Sequence, residues 1–277
     1  MNLLKNSKSG KQKTSADGRP VCALCSYNTL TVNAVDEHKA QSTIWEYYQD
    51  ESISTVEFRR LAQNINPNSQ KSINSILITS AMPDEGKTLL AAHLAITMAK
   101  DEEKKVLLID CDMRRPSIHS LFGIERKAGL SSFLEETATL EEIIKDTELE
   151  HLKIIPGGSR IPSITHLLKK EKTKELLDEC KAKFDFVICD APPVIPVHDS
   201  ELLSQYVDGV VLVVLAGKTF REIVERAIQY LKEAQANVLG VVLNDVNGKL
   251  PYYYHSKYYR HYYGEREKDE PTSSNVS

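Results

Sequence analysis

Apolar residues in this chain gather in short runs between residues 75 and 244, separated by stretches in which they recur every three or four positions. The runs are SILIT (75–79), KVLLID (105–110), LKIIP (152–156), FDFVICD (184–190), DGVVLVVLA (208–216) and VLGVVLN (238–244). Each holds at least two Val or Ile residues, and four are continuous rather than alternating, the pattern of strands buried on both faces. TLLAAHLAITMAK (88–100), LEEIIKD (140–146), ITHLLKKEKTKELLDECKAK (164–183) and FREIVERAIQYLKEAQ (220–235) have helical spacing. This alternation predicts an α/β fold, a mostly parallel sheet flanked by helices and joined by right-handed crossovers. Ligands of such sheets bind beyond the carboxyl ends of the strands, so the residues there carry the functional question.

The pattern defines a domain over residues 51–246, with a polar, mobile extension at 1–50 and a flexible, tyrosine-rich tail at 247–277. A formal net charge of −4 argues against general affinity for nucleic acid. No apolar run approaches the ~18 residues of a membrane span, and the first twenty residues lack the apolar centre of a secretory signal. Five cysteines, with Cys111, Cys180 and Cys189 in or beside apolar segments, suit a reducing cytosol, so a cytoplasmic protein is expected. Cys22 and Cys25 form C-x-x-C with His38 as nearest third ligand. No second pair completes a tetrahedral zinc site, and two ordinary thiols are the simpler reading. Lys5, Lys8, Lys11 and Lys13 could touch an anionic membrane surface, though scattered lysines more often serve solubility.

Three strand ends carry candidate chemistry. SAMPDEGKTLLAAHLA follows the first run and opens a helix at once, reading A-x-x-x-x-G-K-T from Ala81. That is the layout of a phosphate-binding loop, in which inward backbone N–H groups and a helix N-terminus meet phosphate oxygens. Pro83, Asp84, Glu85, Gly86, Lys87 and Thr88 would form it, Lys87 reaching the β- and γ-phosphates and Thr88 placing its hydroxyl on Mg²⁺. The second run ends in LLIDCDMRRP, where Asp110 and Asp112 share a face and require a cation or a shared proton between them. The third, FDFVICDAPP, puts Asp190 at a strand end stopped by Pro192 and Pro193, in the manner of an acid on a metal shell. Arg114 can pair with an acid or a phosphate. Asn244 closes the last run, where its amide can read adenine or cap the strand.

Seven of the twelve tyrosines, Tyr252, Tyr253, Tyr254, Tyr258, Tyr259, Tyr262 and Tyr263, lie in PYYYHSKYYRHYYGE near the C-terminus, with neither strand nor helix periodicity. They are either a satellite apolar cluster or substrates.

TSAMPDEGKT, LLIDCDMRRPSIHSLFG, FDFVICDAPPVIPVHDS and VDGVVLVVLAGKTFREIVERA together resemble the bacterial tyrosine kinases (BY-kinases) of capsule and exopolysaccharide synthesis, over roughly residues 55–263. The resemblance implies a P-loop NTPase fold and Mg-ATP as phosphoryl donor to the tail tyrosines. It implies Asp110 as acceptor of the phenolic proton, with Asp112, Asp190 and Thr88 around Mg²⁺. On that basis Asp110→Asn should abolish transfer and leave ATP binding largely intact. It also implies a homo-oligomer such as a ring, a separate membrane adaptor of the polysaccharide co-polymerase type that recruits the kinase to the membrane, and a cognate phosphatase. The chain departs from the family in placing Asp84 where its P-loops carry Gly. In the ring-forming E-x-x-R-x-x-R helix, Arg59 fits, but Val56 and Ala62 stand at the other two positions, and Glu57 and Arg60 are shifted by one. GGSRIPSITHLL matches a family loop only in part, with Ser163, Ile164 and His166 the odd residues. Two other readings stand beside the kinase. One is a ParA/MinD-like ATPase, although Met82 occupies the place of its additional P-loop lysine. The other is a catalytically weak regulatory ATPase, which Asp84 would suit.

Overall fold

A computed structural model describes residues 28–32, 43–46, 48, 53–65, 73–161, 164–168 and 171–244. Its eight strands are β1 (Asn28–Val32), β2 (Ser75–Ser80), β3 (Val106–Asp110), β4 (Lys145–Asp146), β5 (Leu152–Ile155), β6 (Phe186–Asp190), β7 (Gly209–Leu215) and β8 (Val238–Asn244). They form one sheet in the order β1-β8-β7-β2-β6-β3-β5-β4, parallel throughout except where β4 meets β5. The main helices are α1 (Ile53–Ile65), α2 (Lys87–Asp101), α7 (Glu171–Lys183) and α9 (Arg221–Glu233). The shorter ones are α3 (Ile118–Phe122), α4 (Leu130–Leu134), α5 (Leu140–Ile143), α6 (Thr165–Leu168) and α8 (Asp199–Leu203).

Both faces of the central strands are buried, as their continuous apolar runs predict. Ile76, Ile78, Leu108 and Ile188 pack into a core with Phe58 of α1 and Leu94 and Met98 of α2. Leu77, Leu107, Val187 and Leu212 point the other way, into a core with Phe133, Leu177 and Leu231. The period of two along each strand assigns successive residues to opposite cores.

All six predicted strands are present. Two predicted helices differ. LEEIIKD is helical only to Ile143; Ile144 is extended (φ −73°, ψ 126°), and Lys145–Asp146 turns into the antiparallel edge strand β4. The stretch 164–183 divides into α6 and α7. Within the range that composition sets apart as an extension, Asn28–Val32 pairs in parallel with β8, and Ile44 is buried beside α3. The sheet and its core thus draw on residues before 51. The tyrosines from Tyr252 to Tyr263, the thiols of Cys22 and Cys25, His38 and the N-terminal lysines lie outside the described residues.

Val56 and Ala62 of the departed helix motif lie on α1, where Ala62 is buried. Arg59 pairs instead with Asp101 of α2 at 2.7 Å, and Arg60 with Glu57 at 2.8 Å. No helix among the described residues is long and apolar enough to cross a membrane.

Candidate active site

The carboxyl ends of β2, β3 and β6, adjacent in the sheet, carry the P-loop, Asp110 and Asp190. After Ser80 the chain turns through residues 81–86 and enters α2 at Lys87. The turn needs two left-handed residues, Asp84 (φ 60°) and Gly86 (φ 85°). Gly86 is also constrained by space, since a Cβ there would fall 2.1 Å from Asn244 Nδ2. Asp tolerates positive φ better than most residues, which explains how Asp84 holds a position that suits glycine.

Lys87 is the hub. Its ammonium lies 3.1 Å from Asp112 Oδ2 and 3.8 Å from Asp190 Oδ1, and donates to the Thr88 hydroxyl at 3.2 Å. Burial alone would lower the Lys87 pKa, but the charges of Asp190, Asp112 and Asp110 outweigh it and raise it, so the group stays protonated. Asp190 is fully buried, and neither of its carboxylate oxygens has a hydrogen-bond partner among the described residues. Burial raises its pKa, while Lys87 and Thr88 pull it down. Lys87, at 3.8 Å, offsets this buried charge in part, and a bound metal ion would offset it further. Together with the Thr88 hydroxyl and Asp112, Asp190 offers the hard oxygen donors that suit Mg²⁺.

Asp110 is placed differently. Its carboxylate is fully buried and accepts N–H bonds from Asp112 (3.2 Å), Ser117 (2.9 Å) and Ile118 (3.1 Å). Burial and then the Asp190 charge raise its pKa, and the N–H donors oppose the rise. Gly157 comes so near that an added Cβ would lie 3.4 Å from Asp110 Cγ. A cavity of about 460 Å³ opens over the site, with Gly86, Lys87, Thr88, Asp112 and Arg115 on its wall, along with Pro83 and Asp84. Asp110 and Asp190 do not reach that wall.

Two predicted contact residues serve the loop itself. The Glu85 carboxylate turns inward, accepting from Met82 N (2.8 Å), Leu215 N (3.4 Å) and the Thr219 hydroxyl. Burial raises its pKa against these bonds. Asn244 Nδ2 donates to Glu85 O at 3.0 Å, tying β8 to the P-loop. Arg114 pairs with an acid: its guanidinium grips the fully buried Asp199 at 2.6 and 3.2 Å. Sequence reasoning missed Asp199, Thr219 and the cavity lining by Pro192, Pro193, Pro196 and Val197. Only the two prolines at 192 and 193 were a signal, and they read as a strand stop.

An AAA domain family matches residues 73–240. Tyrosine-protein kinase YwqD of Bacillus subtilis is 35% identical over 74% of this chain and 87% of its own. Putative tyrosine-protein kinase CapB of Staphylococcus aureus is 36% identical over 82% of this chain and 99% of its own. Among solved structures, the chimerical protein CapA2B2 superposes with a TM-score of 0.73 at 32% identity, covering 79% of this chain and 95% of that one. Likeness over nearly the whole length of relatives named tyrosine-protein kinases, on a fold whose strand ends are arranged for a nucleotide, makes this chain a member of the bacterial tyrosine kinases.

Proposed function

We propose that the chain transfers the γ-phosphoryl group of ATP to tyrosines, first to those at 252, 253, 254, 258, 259, 262 and 263, and so regulates capsule or exopolysaccharide synthesis or export. The single observation that carries the reading is the convergence of Lys87, Asp112 and Asp190 under one open cavity. Lys87 draws charge from the γ-phosphate. Thr88, Asp112 and Asp190 would hold Mg²⁺, which when bound neutralises charge on the β- and γ-phosphates. The phenolic oxygen bonds to phosphorus as the bond to the β-phosphate oxygen breaks and ADP leaves. The phenol, with pKa ~10, gives up its proton late. Asp112, the acidic side chain of the β3 end on the wall, is engaged by Lys87 and would ligate the metal ion, so the phenolic proton passes to an oxygen of the transferred phosphoryl group. Asp110, closed off and bonded to three backbone N–H groups, orients the loop that carries Asp112.

The tail begins beyond Asn244, and 8 to 19 extended residues reach ~25 to 65 Å, enough to enter a second copy's site. The segment 249–264 carries Lys249, Lys257 and Arg260 and no acid, a charge suited to a nucleotide-filled site. Each phosphate adds about −1.5 to −2 charges. Full modification therefore reverses the sign of the tail and favours separation of the copies in a ring. A separate membrane adaptor and a phosphatase complete the cycle. Asp84 beside the phosphates favours the second reading, a weak regulatory ATPase. Intact mass after incubation with Mg-ATP separates the two: steps of one phosphate support the kinase, and an unchanged mass with ATP consumed supports the ATPase.

A further inference from the structure

Two consecutive acids of the P-loop are used in opposite ways. Asp84 lies on the wall of the cavity, whereas Glu85 is 2% exposed and lies outside that lining. A buried carboxylate is costly to leave without donors. The donors that reach Glu85 come from the P-loop itself and from the turn that follows β7, so the side chain joins the two.

Glu85 Oε1 accepts from Leu215 N at 3.4 Å and from the Thr219 hydroxyl. Thr219 N in turn donates to Leu215 O at 3.1 Å, which closes a ring of hydrogen bonds through the carboxylate. Gly217, with φ 71°, gives the turn between them its left-handed step. Glu85 Oε2 accepts from Met82 N at 2.8 Å, near the start of the P-loop. A second ring runs through the backbone. Asn244 Nδ2 donates to Glu85 O at 3.0 Å, and Ala216 N donates to Asn244 O at 2.9 Å. Glu85 is therefore held by both its side chain and its carbonyl. It stands between Asp84 at φ 60° and Gly86 at φ 85°, and the left-handed region is unfavourable for a residue such as Asp84. Bonds that fix Glu85 between these two residues hold the loop in that conformation without help from a phosphate.

We infer that Thr219 is a positioning residue for nucleotide binding: through the Glu85 carboxylate it holds the P-loop in its receptive shape before the nucleotide arrives. This rests on the reading of the cavity as a nucleotide site. Thr219 is not on the cavity wall, so its route to the phosphates runs through Glu85. Its hydroxyl is the one side-chain donor to that carboxylate among the described residues. Without it, a buried oxygen is left short of partners, and the segment between the two left-handed residues loosens. Phosphate oxygens can re-form the loop on binding, and affinity falls by the ordering this requires. The bound loop is then the same as in the parent, so the loss falls on binding and not on the transfer step.

The test uses the full chain, reading the Kd of Mg-ADP by calorimetric titration, and KM for ATP and kcat from initial rates of self-phosphorylation. Thr219→Val keeps the shape and removes the hydroxyl. It is expected to weaken Mg-ADP binding by roughly fivefold or more, with a matching rise in KM and a much smaller change in kcat. Thr219→Ser restores the hydroxyl and binds Mg-ADP within about twofold of the parent. In Glu85→Ala the hydroxyl has already lost its acceptor, so adding Thr219→Val changes Kd by less than about twofold. Thr219→Val with the parent Kd overturns the inference, as does a loss confined to kcat or a double variant whose loss is the product of the two single losses. A parent that binds Mg-ADP but acquires no phosphate defeats the kinase reading alone, and the Kd comparison still decides the inference. A parent that takes up no Mg-ADP overturns the nucleotide site, and the role of Thr219 with it.

Discussion

Asp110 and Asp190 stand opposite one another as register partners at the carboxyl ends of β3 and β6, both shut off from solvent. Burial raises each above the ordinary 3.8 of an aspartate. A raised carboxylate pKa means that the folded protein keeps protons the unfolded chain releases. The stability from these groups is therefore fully present below the ordinary value and is lost as pH rises through the folded values. Without nucleotide, the thermal midpoint is expected to fall as pH rises from 5 to 8. Mg-ADP, by bringing a metal ion to Asp190, should recover a few degrees of it. Asp190→Asn should flatten the slope, and calorimetry across that range checks both effects.

His93 of α2 contributes with the opposite sign. Its ring stacks on Phe58 at 5.0 Å and near Tyr48 at 6.0 Å, and its buried Nε2 has no hydrogen-bond partner among the described residues. Burial lowers its pKa from 6.5 to about 4. The folded protein therefore holds a neutral ring where the unfolded chain takes up a proton. The stability it provides is present above pH 6.5 and is lost as pH falls toward 4. His93→Leu, which retains an apolar side chain, should remove that acid-side loss. Urea unfolding at pH 4.5 and 7 gives the comparison.

Asp110→Asn separates a proton acceptor from a residue that shapes a loop. An amide keeps one accepting oxygen but turns an NH₂ toward the N–H groups of Asp112, Ser117 or Ile118. Opposed donors in a buried site cost ~1–3 kcal/mol. Transfer should fall ~100-fold, and nucleotide affinity should fall as well, by about tenfold. The family resemblance alone predicts intact ATP binding, and calorimetric titration with Mg-ADP decides between the two.

Arg114 and Asp199 offer an asymmetric pair. Removing the cation leaves a fully buried carboxylate unpaired, and such losses cost ~3–5 kcal/mol. Asp199→Asn removes a charge from beside the partly exposed Arg114 and leaves no buried ion behind, so it should destabilise less than Arg114→Ala. The order of the two unfolding midpoints in urea tests the direction.

Strands were legible where a run is continuous and both faces are buried, because such runs have few other uses. β1 was not: NTLTV is short, half polar and at the sheet edge, and the neighbour that makes it a strand is β8, more than two hundred residues away. That Lys87, Thr88, Asp112 and Asp190 come together at the strand ends follows from local motif and position. The inward turn of Glu85 and the grip of Arg114 on Asp199 do not, since both depend on partners distant in sequence. Asp110 shows the limit most clearly. Its spacing from Asp112 does not reveal that its carboxylate is buried and accepts three N–H bonds while Asp112 lines the cavity.

The most direct test is site-resolved mass spectrometry of the full chain after incubation with Mg-ATP, set beside Lys87→Met. The expected result is successive phosphates on the fragment holding Tyr252 to Tyr263 in the parent and none in the variant. A tail that stays unmodified while the parent binds and hydrolyses ATP would contradict it.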